Sequence, residues 1–111
     1  MGRIRTGLGI FSSEIGSFED GTIYKGIGVG KTAIGEYHSG NIYEGIGWFN
    51  KCIGSYSNGT IFVGIGWGKK PVGSCRNGGI YKGIGWSSSQ IGNYEGDVDG
   101  ACAAALLLFD W

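Results

Sequence analysis

The chain has 111 residues, enough for one modest hydrophobic core but too few for two. Nine Lys and Arg balance nine Asp and Glu, so the formal net charge is zero. This balance argues against a nucleic-acid-binding protein, which needs a basic face, and against a polybasic contact with a membrane.

Glycine is the compositional outlier, with 25 copies and a single proline, and its copies recur with a fixed period. Aligned on its Ile-Gly or Val-Gly dipeptides, the chain repeats every 19 residues. The repeat reads I-G-x-Y-x-x-G-x-I-Y-x-G-I-G-W, followed by four variable residues. The alignment predicts one domain over residues 1–111, with repeat units 15–33, 34–52, 53–71 and 72–90, and a split unit of 91–96 with 2–14.

The first predicted element is a strand over Arg3–Ile10, because residues 2–14 match the second half of the unit. Each complete unit predicts a β-hairpin with a short first strand, such as Ile53–Ser57, and a longer second strand, such as Thr60–Trp67. Turn residues that accept positive φ separate the two strands. These turns are Asp20-Gly21, Ser39-Gly40, Asn58-Gly59 and Asn77-Gly78. Four-residue loops are predicted between hairpins at Phe49–Cys52, Gly68–Pro71 and Ser87–Gln90.

The two ends of the repeat array complement each other. Ile91–Glu95 supplies only the first half of a unit, so pairing it with Arg3–Ile10 completes a fifth hairpin. Such pairing leaves no free sheet edge, and free edges favour aggregation. The sequence therefore predicts an all-β fold of five pseudo-symmetric hairpin repeats closed into a ring.

Residue alternation along the long strand predicts which side chains share a face. In the second unit, Ile42, Ile46 and Trp48 are expected to point one way, while Tyr43 and Gly45 point the other. Tyrosine rings lying across strand glycines would cover backbone that packs against nothing else.

The last segment, residues 100–111, is apolar and does not repeat. Its apolar run is too short to span a bilayer, which takes ~20 helical residues. Its Ala and Leu residues favour a helix, and Gly100 with Asp97 and Asp99 marks the N-terminal boundary. A helix that is apolar on all sides must be buried. We therefore expect the segment to plug the ring or to form an interface with a second molecule, through Leu106, Leu107, Leu108 and Phe109.

The repeat signature over residues 2–96 resembles the bacterial β-flower proteins, small domains built from pseudo-symmetric hairpins. The number of units is similar to that of the five-fold variety. The resemblance implies a fold and little about function, because that family is largely uncharacterised. Cys75 at a Tyr position, and Val29 and Ile10 at the Trp position, depart from the pattern.

No residue set predicts catalysis, a metal site or a cofactor. His38 is the single histidine and falls in a predicted turn, with no recurring partner that would make it a general base. Cys52, Cys75 and Cys102 have no CxxC spacing, so we expect reduced thiols in a cytoplasmic protein.

The recurring aromatic residues are the remaining candidates for a site. Trp48, Trp67 and Trp86 lie one repeat apart, and Tyr43 and Tyr81 occupy equivalent positions. Such residues form either the core or clefts that bind sugars and quaternary amines. The sequence favours a non-catalytic scaffold that interacts with an unknown protein partner or with itself. The alternative is a small-ligand or glycan binder that uses aromatic clefts between hairpins.

Overall fold

A computed structural model describes residues 2–109 and 111, apart from the side chain of Phe11. These residues form ten antiparallel strands, which close into a barrel, and one α-helix. The strands are β1 (Gly2–Thr6), β2 (Ser13–Glu19), β3 (Thr22–Lys25), β4 (Thr32–His38), β5 (Asn41–Glu44), β6 (Lys51–Ser57), β7 (Thr60–Val63), β8 (Lys70–Arg76), β9 (Gly79–Lys82) and β10 (Ser89–Glu95). The helix is α1 (Val98–Leu108). The predicted ring of hairpins is confirmed.

The two ends of the repeat array close the barrel as predicted. β1 pairs with β10 on one side and with β2 on the other, so that Arg3 lies opposite both Glu95 and Ser17. Arg5 Nη1 donates a hydrogen bond of 2.8 Å to Glu95 Oε2 across the β1–β10 junction. This bond and the guanidinium charge lower the pKa of the Glu95 carboxyl below its ordinary value. β1 ends at Thr6, whereas the sequence predicted a strand as far as Ile10.

The hairpin turns also form where predicted. Asp20 and Gly21 have φ values of 51° and 82°, and the other three turns have nearly the same values. Positive φ at both central residues defines a type I′ turn, whose twist matches that of the flanking strands. Glycine at the second position and a small polar residue at the first therefore fix the register of each hairpin.

The predicted strand lengths are wrong, because the first strand of each hairpin is the longer one. β6 has seven residues and β7 has four, so the predicted strand Thr60–Trp67 stops at Val63. Gly64 and Gly66 have φ values of 92° and 59°, which lie outside the extended region, and the chain turns into a 3₁₀ helix at Gly66–Gly68. The predicted four-residue loops are shifted for the same reason, and each ends inside the following strand.

Each long strand contains a bulge at the residue before its central glycine. In the β3–β4 pair, Gly35 lies opposite Ile23 and Ala33 opposite Tyr24, which leaves Ile34 without a partner residue. The register shifts at the equivalent place in β2, β6, β8 and β10. A bulge bends its strand and increases the local twist, which helps a small sheet to close.

The inner face of the barrel carries three rows of residues, each spaced by one repeat. The first row is fully buried and consists of Ile4, Ile23, Ile42, Ile61 and Ile80. The second row is mostly aromatic and consists of Phe18, Tyr37, Tyr56, Cys75 and Tyr94. The third row is buried glycine and consists of Gly16, Gly35, Gly54, Gly73 and Gly92.

Helix α1 runs through this barrel as a plug. The Asp97 carboxylate accepts a hydrogen bond of 2.9 Å from Gly100 N and so caps the helix at its start. Ala101, Cys102, Ala103, Ala104 and Ala105 are all 0% exposed. Of the two predicted roles of the apolar segment, the structure therefore shows the plug.

The size of the side chains along the plug matches the rows around it. Small residues come first, and Gly100 lies against the rings of Phe18 and Tyr37. Large residues come last, where each faces one glycine of the third row. The pairs are Leu106 with Gly54, Leu107 with Gly35, Leu108 with Gly16, Phe109 with Gly92 and Trp111 with Gly73. The prediction that tyrosine rings cover the strand glycines is wrong for this row, because these glycines make room for the plug.

Replacing Gly54 with alanine should destabilise the barrel by about 1–3 kcal/mol, the usual cost of overpacking a core. A methyl group there would lie 2.6 Å from Leu106 Cδ2 and would overlap the backbone oxygen of Phe62. Gly68→Ala is the matched control, because nothing lies within 4 Å of the added methyl. Calorimetry should show a lower melting temperature for Gly54→Ala alone. Equal melting temperatures would show that the third row does not need glycine.

Candidate functional site

The two ends of the barrel differ because every connection of one kind lies at the same end. The hairpin turns join β2 to β3 and the later pairs, and define the turn end. Five connecting loops lie at the other end, the loop end, because neighbouring strands are antiparallel. In the described chain these loops span residues 7–12, 26–31, 45–50, 64–69 and 83–88.

The connecting loops are held in a conformation that turns their apolar side chains outward. In the third loop, Gly45 and Gly47 have φ values of 94° and 63°, and Asn50 N donates a hydrogen bond of 3.3 Å to Gly47 O. The two positive φ values take Ile46 and Trp48 out of the strand alternation, so the prediction that they share a face with Ile42 is wrong.

The loop tryptophans are almost completely exposed. Trp48, Trp67 and Trp86 are 99%, 106% and 106% exposed, so their interpretation as core residues is wrong. Every large apolar side chain that is exposed in the described part of the chain lies in one of the five loops. Besides the three tryptophans, these residues are Leu8, Ile10, Ile27, Val29, Ile46, Phe49, Ile65 and Ile84. Apolar exposure in the described part of the chain is therefore concentrated in the five connecting loops.

The two tyrosines that were grouped with these tryptophans lie elsewhere. Tyr43 and Tyr81 are half-buried on the strands β5 and β9. His38 stacks on Tyr43 with ring centroids 4.7 Å apart, and the Arg76 guanidinium lies 4.1 Å from the centre of the Tyr81 ring. The structure therefore brings each tyrosine to a neighbouring charged or polar side chain, while the tryptophans stand apart in the loops.

Charge is segregated between the two ends, although the chain is neutral overall. The loop end, taken as residues 6–14, 25–33, 44–52, 63–71 and 82–90, carries six lysines and two glutamates. All six lysines are exposed, and they are Lys25, Lys31, Lys51, Lys69, Lys70 and Lys82. The turn end carries the acidic residues Glu19, Asp20, Glu95, Asp97 and Asp99, and the basic residues Arg3 and Arg76. The neutral net charge led us to expect no basic face, but the loop end is basic.

Two cavities lie on the outside of the barrel, at positions related by one repeat. The larger has a volume of about 350 Å³ and is lined by Ser74, Arg76 and Gly85, among others. The smaller has a volume of about 90 Å³ and is lined by Ser55, Gly66 and Lys69, among others. Neither is lined by a tryptophan or tyrosine, so these clefts differ in chemistry from the aromatic ones that the sequence suggested.

The equivalent position one repeat earlier is occupied by the protein itself. Glu36 takes the place of Ser55, and its Oε1 accepts a hydrogen bond of 2.8 Å from Asn50 Nδ2. Its Oε2 accepts one of 3.3 Å from Gly47 N. The sequence reasoning missed this position, although Ser17, Glu36, Ser55, Ser74 and Asn93 follow one another at the repeat spacing.

The thiols are buried or half-buried and are not arranged as a metal site. Cys52 is half-buried, and Cys75 and Cys102 are buried, all three as free thiols. A hydrogen bond with Cys102, together with burial, raises the pKa of the Cys75 thiol far above its ordinary value. Within residues 2–109 and 111, no group of three His, Cys, Asp or Glu side chains could hold a metal ion.

In that same part of the chain, no helix has the length and apolar character to span a membrane.

Comparison with known proteins finds no matching family model, no matching curated protein and no matching solved structure. The resemblance to β-flower proteins stays a prediction from the repeat signature.

Proposed function

We propose that this chain is a non-catalytic interaction module, and that its loop end binds the surface of a membrane containing anionic lipids. The observation that carries the proposal is the almost complete exposure of Trp48, Trp67 and Trp86 on loops that contain a lysine or lie next to one in sequence. A cytoplasmic location, where the inner leaflet supplies anionic lipids, belongs to the same proposal.

The shape of the loop end favours a lipid surface over a protein partner. Its apolar side chains stand on separate loops, and the near-complete exposure of Trp48, Trp67 and Trp86 shows that these three rings do not line a groove. A protein partner would need a complementary pocket for each one, with the spacing of a five-fold ring. A bilayer interface is fluid and accepts isolated Trp and Ile side chains without any such match.

The charge distribution favours the same partner and sets the orientation. A lysine close to an anionic bilayer contributes about 1 kcal/mol, and the six exposed lysines all lie at the loop end. The acidic turn end would be repelled by the same surface. Attraction at one end and repulsion at the other orient the barrel with its loops toward the lipid.

Co-sedimentation with vesicles tests the proposal. The protein should bind vesicles of phosphatidylcholine mixed with phosphatidylserine at least about tenfold more tightly than vesicles of phosphatidylcholine alone. Replacing Trp48, Trp67 and Trp86 with serine should weaken binding at least about tenfold without lowering stability by more than about 0.5 kcal/mol, because exposed side chains contribute little to folding.

A matched pair of charge reversals gives the control. Lys82→Glu, at the loop end, should weaken binding to the anionic vesicles. Arg3→Glu makes the same charge change at the turn end and should leave binding unchanged. Equal effects of the two variants, or no binding at low salt, would contradict the proposal. Self-association or capture by a protein would then be the better account of the loop end.

A further inference from the structure

The two outer cavities and the half-buried carboxylate of Glu36 occupy the same position in three successive repeats. Ser55 and Ser74 replace Glu36 at the repeat spacing, and each serine lies beside a cavity. The shorter side chain removes the carboxylate from this position. The hydrogen-bond donors that remain around each cavity indicate which chemical group it can bind.

The groups that hold the Glu36 carboxylate have counterparts in both cavities. Gly47 N, which donates to Glu36, corresponds to Gly66 N in the smaller cavity and to Gly85 N in the larger. Within the described residues, neither of these two amides donates a hydrogen bond. Each cavity therefore keeps the backbone donor but lacks the acceptor that satisfies it in the second hairpin.

The side chains around the cavities are more basic than those around Glu36. Asn50, the second donor to Glu36, is replaced by Lys69 in the smaller cavity. In the larger cavity Ser88 takes that place and Arg76 adds a guanidinium. Among the described residues the ion pair within 4.0 Å is Arg5–Glu95, so neither Lys69 nor Arg76 is neutralised by an acidic side chain of the protein.

We propose that the two cavities bind the carboxylate group of a small molecule, in the position that the Glu36 carboxylate occupies one repeat earlier. Gly66 N and Lys69 donate to it in the smaller cavity, and Gly85 N and Arg76 donate to it in the larger. Charge-assisted hydrogen bonds of this kind are stronger than neutral ones. This activity goes beyond membrane docking and needs no lipid.

Titration with acetate, followed by amide resonances in nuclear magnetic resonance spectra, tests the inference on the unmodified protein. The amide protons of Gly66 and Gly85 should shift downfield and saturate. The amide proton of Gly47 should not move, because the Glu36 carboxylate already accepts its hydrogen bond. A response of Gly47 as large as that of Gly66 and Gly85, or no saturable shift, would overturn the proposal.

A second titration distinguishes a carboxylate ligand from a phosphate or a phosphate-bearing headgroup. Inorganic phosphate should saturate the Gly66 and Gly85 shifts only at higher concentrations than acetate, because the position is filled by a planar carboxylate in the second hairpin. Saturation by phosphate at lower concentrations would overturn the assignment to carboxylates.

Two reciprocal substitutions remove one of the proposed sites and create a new one in another repeat. Ser55→Glu should fill the smaller cavity with an internal carboxylate and abolish the Gly66 response, while the Gly85 response remains. Glu36→Ser should open a third site and give Gly47 an acetate response that the unmodified protein lacks. Unchanged responses in correctly folded variants would overturn the proposal. The comparison of Gly47 with Gly66 and Gly85 stands without either variant.

Discussion

Removing residues 97–111 is expected to abolish cooperative folding of the barrel. The five isoleucines of the first inner row and the five glycines of the third row would then surround an empty apolar channel. The loss includes Leu106, Leu107, Leu108 and Phe109, and burial of a large apolar side chain contributes about 1.5–3 kcal/mol. A domain of this size has a total stability of about 5–15 kcal/mol, so this loss removes most of it.

Circular dichroism and calorimetry check this result. The shortened chain should show no sharp thermal transition, and a synthetic peptide of residues 97–111 added in trans should restore one. Leu106→Ala is the milder variant, with an expected loss of about 2–5 kcal/mol. A shortened chain that melts at the temperature of the complete one would show that α1 is not part of the core.

Removing residues 2–11 should also unfold the domain, because this segment supplies the strand that closes the ring. Without β1, strands β2 and β10 lose one neighbour each and the sheet gains two free edges. The buried Ile4 and the Arg5–Glu95 ion pair are lost with it. An open stack of repeats would lose one end unit and keep the rest folded.

Two isoleucine substitutions in that segment show whether the buried part of β1 is what stabilises the ring. Ile4 is 0% exposed and Ile10 is 93% exposed. Ile4→Ala should therefore cost about 2–5 kcal/mol, and Ile10→Ala should stay within about 0.5 kcal/mol of the unmodified protein. Urea unfolding gives both values. A cooperative transition near that of the complete chain after the deletion would mean that the ring is open.

The ring could be predicted from the sequence because its determinants repeat. Asn58-Gly59 and its equivalents mark every turn, and the half-units at the two ends fit only one another. The plug could be predicted too, because a segment that is apolar on all sides has to be buried. The contacts between the plug and the glycines of the third row could not be predicted, because they depend on which side chain of α1 reaches Gly54 or Gly35 in three dimensions.

The prediction from the sequence was wrong mainly about where the second strand of each hairpin ends and the connecting loop begins. Gly-Ile-Gly-Trp continues the alternation of the preceding strand, and alternation carries no information about φ. The positive φ of Gly64 and Gly66 ends β7 early and exposes Trp67, which the alternation had assigned to the face of Ile61. Two glycines separated by one residue were the available signal for a loop.

The basic loop end could have been found from the sequence. The lysines flank the Gly-x-Gly segments, as Lys69 illustrates, whereas five of the nine acidic residues lie at the turn end, as Asp20 illustrates. Charge summed over the whole chain hides this pattern. Charge counted by position within the repeat reveals it, because equivalent positions share one end of the barrel.

Quenching of tryptophan fluorescence by brominated lipids tests the membrane proposal most directly. Four variants would each keep one of the four tryptophans and carry phenylalanine at the other three positions. Bromine near the top of the acyl chains should quench Trp48, Trp67 and Trp86 to a similar extent, because their loops are equivalent on the closed ring. Trp111, which packs against Gly73 inside the barrel, should be quenched less. Loop tryptophans that anionic brominated vesicles leave unquenched would contradict membrane binding through the loop end.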